Sequence, residues 1–289
     1  MKKYLFACTL FTLLAVFACN SPKTLSTATI DPPITPYEQH LIDSVLQYGL
    51  DHEALYTLLA DIKPMSSLVT FYLPIANDDS TKIASADVVD RRTKGVYLDK
   101  LRHVQQALNK IDLPGLRFVL VPYQAAQGKQ RIIQLSVLHT GKVDSLLQAK
   151  ESFFGQYGLV PGADPVVVNS VVENADRFDR NRAYGYLFGY PDYAVDFFTE
   201  ETVKMFSGDE VKAPTPRSFF QIPVYAGNSG YFVYAYPKDH EPTMAGDSLT
   251  YYKALHILEE YKAIRDNYLK PDSTLNAYQL LQDFYRSNR

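Results

Sequence analysis

The residues of this chain that could do chemistry are few and dispersed. Asp78 and Asp79 stand in Asn77-Asp78-Asp79-Ser80, just after an apolar strand-like run. Paired carboxylates can take a cation, and ligands gather beyond strand ends in α/β sheets. The same four letters also describe a solvated turn. Asp239-His240-Glu241 sets an imidazole between two carboxylates, but Pro237 and Pro242 frame it as an exposed turn. His139 closes another strand-like run. Asp78, Asp79, His139 and His240 are therefore the candidate polar site, the one a hydrolase would draw on. The six histidines show no H-x-H or H-E-x-x-H spacing. No G-x-S-x-G, G-x-x-x-x-G-K or G-x-G-x-x-G occurs. The sequence predicts no catalytic residue, no cofactor and no metal.

Tyrosine is the unusual component, with 22 of 289 residues and no tryptophan. Tyr184, Tyr186 and Tyr190 fall within seven residues of one another. Tyr234 and Tyr236 share one face of a strand, with Tyr231 on the other. These five, Tyr184, Tyr186, Tyr190, Tyr234 and Tyr236, are the candidate binding residues. Tyrosine offers flat apolar area with a hydroxyl, which suits sugars and peptides, and it is equally a good strand former. Glu173 with Arg177, and Asp176 with Arg180, sit four apart, which reads as an exposed helix face.

Those residues need a scaffold, and its elements are legible. Thr35, Pro36 and Glu38 predict a capped helix start, Gly49 its end, and Asp51 a cap for a second helix stopped by Pro64. Residues 68–75, 116–121 and 131–139 read as strands, the first two parallel through a helix and the last two an antiparallel hairpin. Helices are expected near 144–157, after Asp164-Pro165, and from Pro191 towards Gly208. A tyrosine-rich hairpin follows at 219–236, then helices over 247–268 and 273–285. Gly189 is expected in a left-handed helix end, with Tyr190 buried at the corner and Pro191 opening the next helix. The fold class is α+β, one mixed sheet of about five strands with several packed helices and a helical C-terminus. Residues 187–198 resemble a Leu-Gly-Tyr-Pro-x-Cys-Cys-Val segment of uncharacterised prokaryotic proteins. Tyr193 and Ala194 stand where that segment has its cysteines, and the resemblance implies no activity.

The front end carries an address. Lys2 and Lys3 precede an apolar run from Tyr4 to Phe17 that is too short for a comfortable membrane span. Val16-Phe17-Ala18-Cys19 resembles the lipobox of bacterial lipoproteins. That resemblance implies cleavage after Ala18 and acylation of Cys19, so residues 1–18 are expected to be a signal peptide. Residues 19–34, with three prolines, are then a lipidated tether, and residues 35–289 a single α+β domain. The expected partners are a membrane, through lipid on Cys19, and an envelope protein, peptide or glycan. The lipoprotein resemblance implies that Asn20, in place of aspartate after the cysteine, disfavours inner-membrane retention, and that the lack of an acidic run in the next residues favours the periplasmic face. Without the two leader lysines, 27 basic side chains face 32 acidic ones, a formal charge of −5 that gives no reason to expect nucleic acid. Cys8 and Cys19 both lie in this front end, so no disulfide is expected. Cys19→Ala should release the protein from membranes without unfolding it, since acyl chains contribute about 0.8 kcal/mol per buried methylene. Fractionation after a carbonate wash checks this, and a variant that stays in the pellet contradicts it.

Overall fold

Thr35 opens the first helix by the reciprocal bonds that its spacing to Glu38 predicts. Glu38 N donates to Thr35 Oγ1 at 3.3 Å, and Thr35 N donates to Glu38 Oε2 at 2.8 Å. The computed structural model describes residues 33–76, 87–88, 94–124, 130–206, 215–227 and 231–287. In chain order the elements begin α1 (Pro36–Asp51), α2 (Leu55–Leu58), β1 (Met65–Ala76), β2 (Asp87–Val88), α3 (Lys94–Leu108), β3 (Leu116–Pro122) and β4 (Gln130–His139). Then come α4 (Thr140–Ala149), α5 (Glu151–Phe154), α6 (Pro165–Asn174), α7 (Arg177–Leu187) and α8 (Asp192–Phe206). β5 (Arg217–Ile222), β6 (Phe232–Pro237), α9 (Leu249–Arg265) and α10 (Ala277–Ser287) follow, with short helical turns at Gly155–Tyr157, Met244–Ser248 and Asp266–Tyr268. Residues Ile34–Arg289 pack as one compact unit. Among the described residues no helix is long and apolar enough to cross a membrane.

The strands do not form one sheet of five. β1, β4 and β3 make a three-stranded sheet, extended at β1 by the two-residue β2, and β5 and β6 pair separately. α6 packs against β3, and the β5–β6 hairpin packs against α8 and α9, so the two sheets share no ladder. Every pairing among the described strands is antiparallel. β1 and β3 do run in the same direction, but β4 lies between them and pairs with both.

Both faces of the central sheet are covered. Leu68, Leu116, Leu135 and Val137 pack into a core shared with α1, α3, α9 and α10. Met65, Val119, Val121 and Leu138 pack into a second core with α4 to α8. Both cores draw on residues from Ile34 onward. A bulge in β1 sets Leu68 and Val69 opposite Leu135 alone. It changes the parity of the strand, so that Ser67 and Thr70 share the face that carries Gln134 and Ser136.

Two expectations at the first helix are corrected. α1 continues through Gly49 to Asp51. Gly49 is needed for close approach, because a Cβ there would lie 2.6 Å from Leu68 Cδ2. Asp51 caps nothing, and α2 is one turn with Ala54 before it. The Asp51 carboxylate instead takes both Arg265 Nε at 3.0 Å and Nη2 at 3.1 Å, and the Tyr261 hydroxyl at 2.7 Å. The helix expected near 144–157 is broken into α4, α5 and a 3-10 turn, and α10 starts only at Ala277, after a turn with Ser273 at φ +65° and a bridge between Leu269 and Leu275.

The α7–α8 corner has the predicted left-handed end, with Tyr190 half-buried rather than buried and α8 starting at Asp192, one residue after Pro191. Gly189 has φ +76°. Gly189 N donates to Tyr186 O at 2.9 Å and Tyr190 N to Gly185 O at 3.0 Å, the paired bonds of a Schellman end. A Cβ on Gly189 would stand 3.3 Å from Ile62 O. Gly189→Ala should therefore cost about 1–2 kcal/mol, while Pro191→Ala, which only frees the unfolded chain, should cost less than about 1 kcal/mol. Urea midpoints of the two variants check the order, and a neutral Gly189→Ala contradicts it.

Candidate functional site

Between the central sheet, helices α6 to α8 and the β5–β6 hairpin lies a cavity of about 610 Å³. Its two sides differ in chemistry. The apolar side is built from Phe188 just after α7, Ala194, Val195 and Phe198 on α8, and Phe219 and Val233 on the hairpin. The polar side is built from Gln134 and Ser136 on β4, Asn169 and Glu173 on α6, and Arg180 and Tyr184 on α7. Strand alternation groups Phe219, Val233 and Ala235 on one face of the hairpin, while Tyr234 reaches the cavity from the other. Phe219 pairs with Ala235 across the ladder, and both belong to the face opposite Phe232 and Tyr234.

The polar side is a connected network. Glu173 is 5% exposed, and its Oε2 accepts the Tyr184 hydroxyl at 2.7 Å. Its Oε1 accepts the Gln124 amide at 2.8 Å. Burial first, and the Glu173 carboxylate second, push the Tyr184 hydroxyl far above its ordinary pKa. Arg180 donates through Nη1 to Gln124 Oε1 and to the Glu173 carbonyl. Gln134 accepts from Thr70 at 2.8 Å and Tyr123 at 3.3 Å, and donates to Leu135 O at 2.7 Å. Ser67 and Ser136 line the cavity with hydroxyls that have no partner among the described residues. The exposed face expected for Glu173 and Arg177 is thus overturned. Glu173 turns inward to a tyrosine eleven residues away, and Arg177 lies over the Phe206 ring at 4.2 Å.

Of the five candidate tyrosines, Tyr184, Tyr190 and Tyr234 line the cavity. Tyr190 stacks on Phe232 with centroids 5.7 Å apart and tilts against Tyr234 at 5.6 Å, so it bolts the corner to the hairpin. Tyr186 and Tyr236 do not join them. Tyr186 is 9% exposed in the second core, under the Lys150 ammonium at 4.9 Å. Tyr236 packs edge-on to His240. Asp78 and Asp79 lie outside the described residues. His139 caps α4, with Lys142 N 3.4 Å from its Nδ1, and burial lowers its pKa. His240 stacks on Tyr193 at 3.9 Å. The two histidines share no partner, and no cluster of three metal-ligating side chains occurs among the described residues. The cavity's polar residues were missed because their partners come from other elements, and only Tyr184 and its neighbours gave a sequence signal.

Two carboxylates fix the walls. Asp247 is 2% exposed and accepts the Tyr193 and Tyr234 hydroxyls, each at 2.6 Å, and the Thr243 amide at 2.9 Å. Burial pushes its pKa up, but these three bonds hold it below the ordinary value. Glu201 on α8 accepts Thr215 N at 2.8 Å and Oγ1 at 2.6 Å just before β5. The Lys204 ammonium first and these Thr215 bonds next hold its carboxyl down at about 2. Comparison with family models, curated proteins and solved structures finds no match to this chain. The fold and site define an α+β protein with an amphipathic cavity between its layers.

Both carboxyl pKa values are depressed, so their stabilisation is complete above the ordinary carboxylate range of about 4 and is lost as pH falls through the folded values. Stability should accordingly drop from pH 5 towards pH 2. Asp247→Asn should cost about 2 kcal/mol at pH 7, since charge-assisted bonds contribute about 1.5–3 kcal/mol each. The variant should also show a shallower acid slope. Urea midpoints across that range test both, and slopes parallel to the parent protein contradict the assignment.

Proposed function

We propose that this chain is a membrane-anchored envelope lipoprotein whose folded part is a non-enzymatic module holding a small amphipathic molecule in the interlayer cavity. The observation that carries this reading is the cavity itself. Its volume of about 610 Å³ falls in the range of small-molecule sites, and apolar walls with a few convergent polar groups are the usual make-up of such sites. Three of the candidate tyrosines, Tyr184, Tyr190 and Tyr234, supply part of this concave lining. That concavity favours a small ligand over a flat protein partner. Anchoring through Cys19, on the periplasmic face of the outer membrane, rests on the lipobox resemblance, on Asn20 and on the lack of an acidic run after it.

The chain from Asn20 onward keeps every residue of both cores and is the material for the test. A neutral solvatochromic dye should bind it saturably at one site with blue-shifted emission. Ala235→Leu adds volume on the cavity face of β6 and should weaken dye binding tenfold or more, with melting behaviour retained by circular dichroism. Dye binding that is absent, or indifferent to this substitution, would sink the proposal.

A further inference from the structure

A second hollow of about 310 Å³ adjoins the cavity, and Arg180, Asn181 and Phe198 line both. Its charge is lopsided. Among the described residues, Arg177, Arg180 and Arg217 line it against one carboxylate, Glu201. Glu201 is already taken by Thr215 and by Lys204 at 2.8 Å, and Arg217 reaches it only at 3.7 Å. Neither Arg177 nor Arg180 has a carboxylate partner among the described residues. Arg180 bonds through Nη1 to an amide oxygen and a carbonyl, which leaves Nε and Nη2 unspent. The surplus of positive charge stands out in a chain whose formal net charge is −3.

From this arrangement we infer that the ligand is an anionic amphiphile, its apolar body in the large cavity and its oxyanion head among Arg177, Arg180 and Arg217. The inference rests on the ligand-binding reading above and adds the class of ligand. Away from Arg180, which stands where the cavity meets the hollow, the interior is poorly suited to the charge. Glu173 would repel the head, and the Ser67 and Ser136 hydroxyls are neutral. Burying an ionised head there without a cation is costly. The arginine hollow solves this, because guanidinium groups bind carboxylate and phosphate through paired N–H donors. Phe198, 47% exposed, lies at the junction and offers apolar contact to the first segment of the body. A carboxylate and a phosphate monoester share this chemistry, so a fatty acid and a phosphate-bearing lipid are separated by experiment.

The test displaces the neutral dye from the chain starting at Asn20 with four amphiphiles of one chain length. These are dodecanoate, dodecyl phosphate, dodecanol and dodecyltrimethylammonium. The two anions should displace the dye at concentrations at least tenfold below the alcohol, with the ammonium weakest, and the better anion identifies the head. The preference should shrink as salt rises. Arg177→Gln with Arg217→Gln should bring dodecanoate to within about twofold of dodecanol. Equal potency of alcohol and anions, or a preference that survives the double substitution, overturns the inference while the cavity reading stands. If the dye itself does not bind, both fall together.

Discussion

A buried ammonium holds together the parts that enclose the cavity. Lys63 is fully buried just before β1, where the α7–α8 corner and strand β6 meet it. Its Nζ lies 2.8 Å from Glu53 Oε2, 4.5 Å from the Phe232 ring centroid and 5.4 Å from that of Phe188. Burial drives its pKa down, and Glu53 works against that shift. Desolvating an ammonium costs several kcal/mol, and one carboxylate with two aromatic faces offsets it only if all three stay in place. Each belongs to a different stretch of chain. The penalty for an uncompensated charge therefore ties the chain after α1, the end of α7 and the hairpin into one arrangement.

The cavity follows from how that arrangement spans the sheet. The bulge in β1 brings Ser67 and Thr70 to one face, beside Gln134 and Ser136. Those polar side chains leave the middle of the face poor in packing groups, whereas Met65, Val119 and Leu138 anchor helices around it. The hairpin is held off the sheet by Tyr190, which stacks on Phe232, and by Asp247, which gathers Tyr193 and Tyr234. A wall fixed by hydrogen bonds to a buried carboxylate does not collapse inward as an aliphatic wall would, because collapse would strand the charge.

What was legible in the sequence was local. Thr35 and Glu38 find each other across one turn, and the Gly189-Tyr190-Pro191 corner needs only its own backbone conformation. The strands at 116–122 and 130–139 pair because a short connection leaves little choice. The misreadings were non-local. Glu173 four residues from Arg177 satisfies the spacing of a surface pair, yet its partner is Tyr184 on the next helix. Asp51 has the position of a helix cap, yet Arg265, more than two hundred residues on, claims it. The separation of the strands into two sheets depends on which helices intervene, and no strand pattern encodes that. Tyr184, Tyr190 and Tyr234 could be picked out by type, whereas the cavity between them arises only from packing.

The central claim is that the space between the sheet, α6–α8 and the hairpin receives an apolar body. Methyl-labelled protein with an unlabelled amphiphile tests it by nuclear Overhauser contacts. Val121, Val195 and Val233 line the cavity from three different elements, while Val160, Val166 and Val167 face solvent at 49%, 47% and 50% exposure. The account predicts contacts from the ligand chain to the first three valines and none to the last three. Contacts confined to the exposed valines, with the cavity methyls silent at saturation, would contradict it.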